Sequence, residues 1–138
     1  MAGELLLDTG ALVSLLDRSQ KRHAVFAEFF AGWDRPVVST EAVLTEATHL
    51  LGGLPGGRKA CVDFFLSGGA LLVPATTASL RRSRDLLSQN ADLPMDYADA
   101  TLVVLAEELD TRLVFTTDRR DFAVYRVKGR HRFQILPD

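Results

Sequence analysis

Apolar residues in this chain fall into short continuous runs, separated by longer stretches with helical spacing. Leu5-Leu6-Leu7-Asp8, Pro36-Val37-Val38-Ser39, Ala70-Leu71-Leu72-Val73 and Arg112-Leu113-Val114-Phe115-Thr116 are continuous rather than alternating, as in strands covered on both faces of a parallel sheet. A last short strand is predicted within Phe133-Gln134-Ile135-Leu136. Between the strands, Gly10 to Arg18 reads as a helix with Leu12, Leu15 and Leu16 on one side, and Lys21 to Trp33 as a second. Ser39 or Thr40 suits the N-cap of the next helix, which runs to about Leu51 and stops at Gly52-Gly53. Pro55 sits near the start of another, ending near Ser67-Gly68-Gly69. A polar, arginine-bearing helix covers Ser79 to Gln89, and Pro94 opens a strong helix through Leu109. This alternation predicts an α/β fold: a single domain over residues 1–138, with a parallel central sheet of about four to five strands flanked by helices on both faces.

Composition agrees and adds limits. The 138 residues suit one domain. With 47% hydrophobic and 25% charged residues, a packed core is expected and disorder is not. No apolar run approaches the ~20 residues that span a bilayer. Met1-Ala2-Gly3-Glu4 followed by three leucines lacks the basic start and apolar length of a signal peptide, so a cytoplasmic protein without a membrane partner is expected. One cysteine, Cys61, permits no internal disulfide and reads as a small buried apolar residue. The net charge of −2 hides an asymmetry. From Arg119 to Asp138 six basic residues stand against two acidic ones, so the acidic excess lies upstream. An acidic pocket with a basic rim suits a phosphate backbone; a solvated arginine-rich tail is the plain alternative.

The carboxylates carry the candidate chemistry. Open parallel sheets bind ligands outside the carboxyl ends of their strands. Two predicted strands deliver an aspartate there, Asp8 and Asp118. Neighbouring strands lie about 4.8 Å apart, so the two carboxylates repel unless a cation sits between them. Mg²⁺ takes such hard oxygen ligands while keeping several waters. Asp is also a favoured N-cap, and both aspartates precede a helical turn; two of them with further acids nearby favour a site. On the helix from Pro94, Asp96 and Asp99 share a face. Asp99 borders the buried stripe, where an unpaired carboxylate is costly, and lies deeper in the helix than Asp96, whose place the helix dipole explains. Glu46 and Glu41 both flank the apolar stripe of their helix. Periodicity does not choose between them, although the dipole accounts for Glu41 alone.

Together these segments resemble a known family. Asp8-Thr9-Gly10-Ala11-Leu12-Val13-Ser14-Leu15-Leu16-Asp17 is similar to the opening motif of PIN-domain nucleases. Thr45-Glu46-Ala47 with Leu50-Leu51 resembles their second acidic position, Asp96-Tyr97-Ala98-Asp99-Ala100 the third, and Thr116-Thr117-Asp118-Arg119-Arg120-Asp121-Phe122 the fourth. The motifs stand in the family's order across almost the whole chain. The resemblance implies an acidic quartet of Asp8, Glu46, Asp99 and Asp118 that binds Mg²⁺ or Mn²⁺, with Asp8, Asp99 and Asp118 as the metal ligands. It adds Thr116 as an orienting hydroxyl and Asp96 and Asp121 as auxiliary acids. At this length it points to VapC-type toxins: homodimeric ribonucleases of toxin–antitoxin pairs, each silenced by a small antitoxin. Arg119, Arg120, Arg81, Arg82 and Arg84 are candidates for holding the RNA backbone.

Other signals carry less. Gly52-Gly53-Leu54-Pro55-Gly56-Gly57-Arg58-Lys59 looks like a phosphate loop, but Lys59 is not followed by Ser or Thr and the segment joins two helices. Glu46-Ala47-Thr48-His49 matches half of a di-iron motif whose second half is absent. His23, His49 and His131 are scattered, and no Gly-x-Ser-x-Gly motif supports a serine hydrolase. Three rivals stand beside the toxin: a PIN nuclease of RNA processing without an antitoxin, a non-catalytic PIN-like binding module, and a phosphotransfer enzyme or receiver using Asp8. A haloacid-dehalogenase-type enzyme would want a second Asp where Gly10 stands, and a binding module should have lost some of the four acids.

Overall fold

The computed structural model describes residues 3–138. Five strands form one parallel sheet: β1 (Leu5–Leu7), β2 (Val37–Thr40), β3 (Leu71–Val73), β4 (Leu113–Phe115) and β7 (Gln134–Leu136), in the order β3-β2-β1-β4-β7. A small antiparallel hairpin of β5 (Arg126–Val127) and β6 (His131–Arg132) stands apart from it. The helices are α1 (Thr9–Leu16), α2 (His23–Ala31), α3 (Glu41–Leu50), α4 (Gly57–Leu66), α5 (Thr77–Gln89), α6 (Tyr97–Leu109) and α7 (Arg119–Val124).

Continuous apolar runs become strands because both sheet faces are covered. Leu6, Val38 and Val114 pack on one side with α6, Phe122 and Tyr125. Leu5, Leu7, Leu113 and Phe115 pack on the other with α1, Phe26, Ala47 and Cys61. Successive residues of β1 thus face opposite layers, and all three leucines are fully buried. On the second side Phe115 meets Phe26 and Phe29, each at a ring separation of 5.1 Å.

Several boundaries differ from the sequence expectation. α1 stops at Leu16, α2 covers only His23–Ala31, and α4 starts at Gly57 behind Pro55. α5 begins two residues before Ser79, because Thr76 and Ser79 cap each other reciprocally. The largest correction concerns α6, which begins at Tyr97 and not at Pro94. Asp96 accepts the Asp99 N–H at 2.8 Å and so fixes the helix start at itself. Asp99 is therefore the third residue of the first turn, not one deeper in the helix, and a dipole contribution applies to it as well. The β5–β6 hairpin and its turn at Lys128-Gly129, both in the left-handed region, were not anticipated.

Candidate active site

Parallel pairing of β1 with β2 and β4 brings their carboxyl ends to one edge. Asp8 follows β1 directly, and Asp118 lies three residues beyond Phe115 at the end of β4. Thr116 joins them: its hydroxyl donates to Asp8 Oδ2 at 2.6 Å and accepts the Asp118 N–H at 2.8 Å. Gly10 in the first turn of α1 makes this possible. A Cβ there would run into the Thr117 hydroxyl, so with any other residue the Thr117 side chain would have to give way for the loop after β4 to close against α1.

Asp8 is 6% exposed and makes no side-chain capping bond to α1. Burial raises its pKa to about 6, against the hydrogen bond from Thr116, and the charges of Asp118 and Glu46 push the same way. Asp99, half-buried, is raised to about 7, again chiefly by burial; Asp96 and Asp8 add to it, while the Tyr125 hydrogen bond opposes it. Asp121 is raised through its side-chain contact with Asp118. Pairwise repulsion thus links Asp8 with Glu46, Asp118 and Asp99, Asp99 with Asp96, and Asp121 with Asp118 and Asp96. Glu46 is half-buried and within reach of Asp8, whereas Glu41 is exposed and lines a different cavity. Of the two glutamates, Glu46 is the one placed beside Asp8.

Three of the acids also have local duties. Asp118 accepts the Asp121 N–H at 3.0 Å as the N-cap of α7, Asp96 caps α6, and Asp99 returns that cap by accepting the Asp96 N–H. Tyr125 was not singled out in the sequence. Its hydroxyl donates to Asp99 Oδ2 at 2.8 Å from a fully buried ring. Burial first, and Asp99 second, push that phenol well above its ordinary range, so it remains a donor. Nothing local marks this pairing, since the partners stand 26 residues apart.

The arginines divide. Arg82 is held by Glu107 in a two-point ion pair of 2.9 and 3.0 Å, and Arg84 is paired with its neighbour Asp85. Arg81 and Arg84 line a hollow beside Tyr97. Arg119 donates to the Pro137 carbonyl, and the charge of Arg120 acts on Asp121.

Among the described residues, no three His, Cys, Asp or Glu side chains stand close enough to enclose a metal on their own. The donor set nevertheless fits a hard divalent cation that keeps most of its water. It is all oxygen, and Mg²⁺ is commonly held by one or two carboxylates. Among the described residues none of Asp8, Glu46, Asp99 or Asp118 has an ion-pair partner. A buried carboxylate without a counter-charge is costly, and a cation would remove that cost.

A five-stranded parallel sheet with acids gathered at its carboxyl edge is the architecture of one nuclease-type domain, and the PIN domain model matches residues 5–128. Ribonuclease VapC26 of Mycobacterium tuberculosis is 30% identical over 135 residues, which cover 96% of this chain and 100% of that protein. The chain belongs to the PIN-domain family, on its VapC branch. Solved structures share the fold at lower identity. VapC20 of Mycobacterium tuberculosis, a toxin that cleaves the sarcin–ricin loop, has a TM-score of 0.78 at 19% identity, covering 84% of this chain and 91% of its own. DNA-bound VapBC from Salmonella typhimurium gives 0.64 at 18% identity, covering 97% and 98%. VapBC2 from Rickettsia felis, bound to a promoter DNA fragment, gives 0.67 at 15%, covering 97% and 99%. Among the described residues no helix is long and apolar enough to cross a membrane.

Proposed function

We propose that this chain is a metal-dependent endoribonuclease, the toxin half of a toxin–antitoxin pair. The observation that carries the reading is Asp8: a buried carboxylate without a counter-charge, ringed by the fields of Asp118, Glu46 and Asp99. Asp8, Asp99 and Asp118 would hold Mg²⁺ or Mn²⁺ partly through its retained waters, and the ion when bound activates water and neutralises charge on the phosphate. Thr116 fixes the rotamer of Asp8 from one side, and Tyr125 fixes Asp99 from the other. Glu46 orients the attacking water or accepts its proton. Arg119 and Arg120, at the start of α7, supply positive charge for the backbone beside the acids, with Arg81 and Arg84 further along. VapC26 is named a ribonuclease, and two of the similar structures are VapBC assemblies. A small antitoxin partner, a homodimer and a cytoplasmic location are part of the reading.

Labelled RNA incubated with Mg²⁺ or Mn²⁺, with excess chelator, and with the Asp8→Asn and Asp99→Asn variants tests the chemistry. Cleavage by the wild type alone, and only with metal, is expected. Cleavage that survives chelator and both substitutions would overturn the metal assignment. Co-purification with the product of a short reading frame directly upstream tests the pairing, and absence of such a frame would favour a role in RNA processing.

A further inference from the structure

A second depression opens on the same sheet edge, two strands from Asp118. Its volume is about 290 Å³. Thr40 at the end of β2, Val73 at the end of β3, Ser79 and Ser83 on α5, and Thr101 on α6 form its walls, with Glu41 and Glu108 also lining it. Tyr97, Ala42 and Thr45 border both this cavity and the open hollow containing Glu46 and Asp96. The depression therefore continues into the hollow beside Glu46 and Asp96.

Four hydroxyls on its walls have already committed their protons, while those of Thr45 and Tyr97 lie at the exposed rim. Thr101 donates to the Ala98 carbonyl at 2.7 Å, so in its 2.9 Å contact with Thr40 the latter must be the donor. Ser83 donates to the Ser79 carbonyl, and Ser79 to the Thr76 carbonyl. Each hydroxyl has one proton and two lone pairs; Thr40 and Ser79 already accept a backbone N–H and Thr101 accepts from Thr40, so what these four side chains still offer an incoming group is acceptor capacity only. Glu41 and Glu108 add carboxylate acceptors. Walls so rich in acceptors and carboxylates disfavour phosphate, itself an acceptor, and favour a group rich in N–H donors. Tyr97, 42% exposed at the shared rim, offers an aromatic face. Single-stranded RNA is read by stacking splayed bases on such faces and hydrogen bonding their edges.

We infer that this cavity is a base-recognition subsite for a nucleotide beside the scissile phosphate, selecting bases that carry an exocyclic amine (cytosine, adenine, guanine) over uracil. The inference rests on the ribonuclease reading for its ligand class. Uracil presents a single N–H flanked by two carbonyls, which would face the acceptor wall. Neighbouring strands lie about 4.8 Å apart, so a cavity at β2 and β3 is within reach of a nucleotide adjoining one held at β1. Arg81 and Arg84, across Tyr97, are placed for its phosphate.

Fluorescently labelled A5, C5, G5 and U5 RNA, titrated into the wild-type chain in excess EDTA, read the subsite without turnover. The three amino-bearing pentamers are expected to bind at least about 10-fold tighter than U5, the worth of one good hydrogen-bonded pair. Tyr97→Ala should weaken all of them by about 5-fold or more, the lower end of a base–aromatic stack. Glu41→Gln with Glu108→Gln introduces donors and should shrink the bias against U5. Equal binding of all four pentamers, or a bias untouched by these variants, overturns the subsite. Arginine methylamide displacing A5 more readily than adenosine does would assign the cavity to a protein side chain and also overturn it. Cleavage of mixed-sequence RNA with Mg²⁺ separates the two readings. Cleavage with flat base ranking removes the subsite alone, whereas ranked binding without any cleavage removes the nuclease and leaves the subsite.

Discussion

Asp8 and Asp118 leave neighbouring strands at the same edge, and each precedes a helix, yet their carboxylates are employed differently. Asp118 accepts the Asp121 N–H and caps α7. Asp8 stands at the N-cap position of α1 but makes no capping bond; its carboxylate is buried and held by Thr116. An aspartate before a helix is thus one sequence signal with two meanings, separated by depth. The exposed end of α7 needs a cap. The buried end of α1 keeps a charge for which the fold supplies no partner, and this makes Asp8 the stronger candidate for metal chemistry.

The largest effect should come from removing that charge. Asp8→Asn is expected to lower RNA cleavage by about 10³-fold, at the upper end of losing one electrostatic contact in an active site. It should leave the metal-free protein as stable or more so, because a neutral amide replaces a group that resists ionising. Asp118→Asn keeps its cap and should lose less activity. Single-turnover rates together with urea unfolding check both, and greater destabilisation from Asp8→Asn than from Asp118→Asn would break the contrast.

Next in size is a pH dependence with an unusual sign. A buried Asp8 titrating near 6, against 3.8 for an ordinary aspartate, means the folded protein binds more protons than the unfolded one between those values. Its contribution is complete below about pH 4 and is lost as pH rises through 6; Asp99, raised to about 7, acts the same way to slightly higher pH. At about 1.4 kcal/mol per pH unit, Asp8 alone contributes on the order of 3 kcal/mol. Unfolding in EDTA at pH 4.5 and pH 7.5, a window set by the Asp8 and Asp99 values, should show stability falling with pH. Asp8→Asn should flatten the slope, and saturating Mg²⁺ should cancel it.

The fold was legible because burial on both faces writes continuous apolar runs such as Leu5-Leu6-Leu7, which no surface element needs. The acidic positions were legible as an ordered set of motifs, each too short to carry weight alone. What stayed hidden depends on contacts between distant residues. Thr116 meets Asp8 across 108 positions, and Tyr125 meets Asp99 only because the segment after α7 folds back on α6. The start of α6 was misjudged for a local reason: Pro94 suits a first turn, but Asp96, two residues later, is the better cap and wins. Glu46 and Glu41 were inseparable by periodicity, since a helix's apolar stripe has two borders and only tertiary packing says which one meets Asp8.

Gly10 sharpens the contrast from the Asp8 side. Gly10→Ala favours helix propensity by about 1 kcal/mol, yet its methyl meets the Thr117 hydroxyl. Overpacking of this kind costs about 1–3 kcal/mol, so a net loss of stability is expected. Displacing Thr117 also shifts its neighbours Thr116 and Asp118, so cleavage should fall further than stability does. Thermal unfolding beside kcat checks this, and a stabilised variant with full activity would show that the loop after β4 has room to spare.

The smallest effect isolates the cap itself. If Asp118 serves α7 as well as the site, Asp118→Ala should cost about 1 kcal/mol, while Asp118→Asn should stay within a few tenths because both side chains accept the same N–H. At Asp8 no side-chain cap exists, so Asp8→Asn and Asp8→Ala should differ only by lost packing and by the Thr116 hydroxyl left without its acceptor. Urea unfolding of the four variants at pH 7.5, in chelator, separates these terms. A cap-sized gap at Asp118, together with stability at Asp8 that follows removal of its charge, is the expected pattern. No gain in stability from neutralising Asp8 would mean that the two aspartates are ordinary caps differing only in depth.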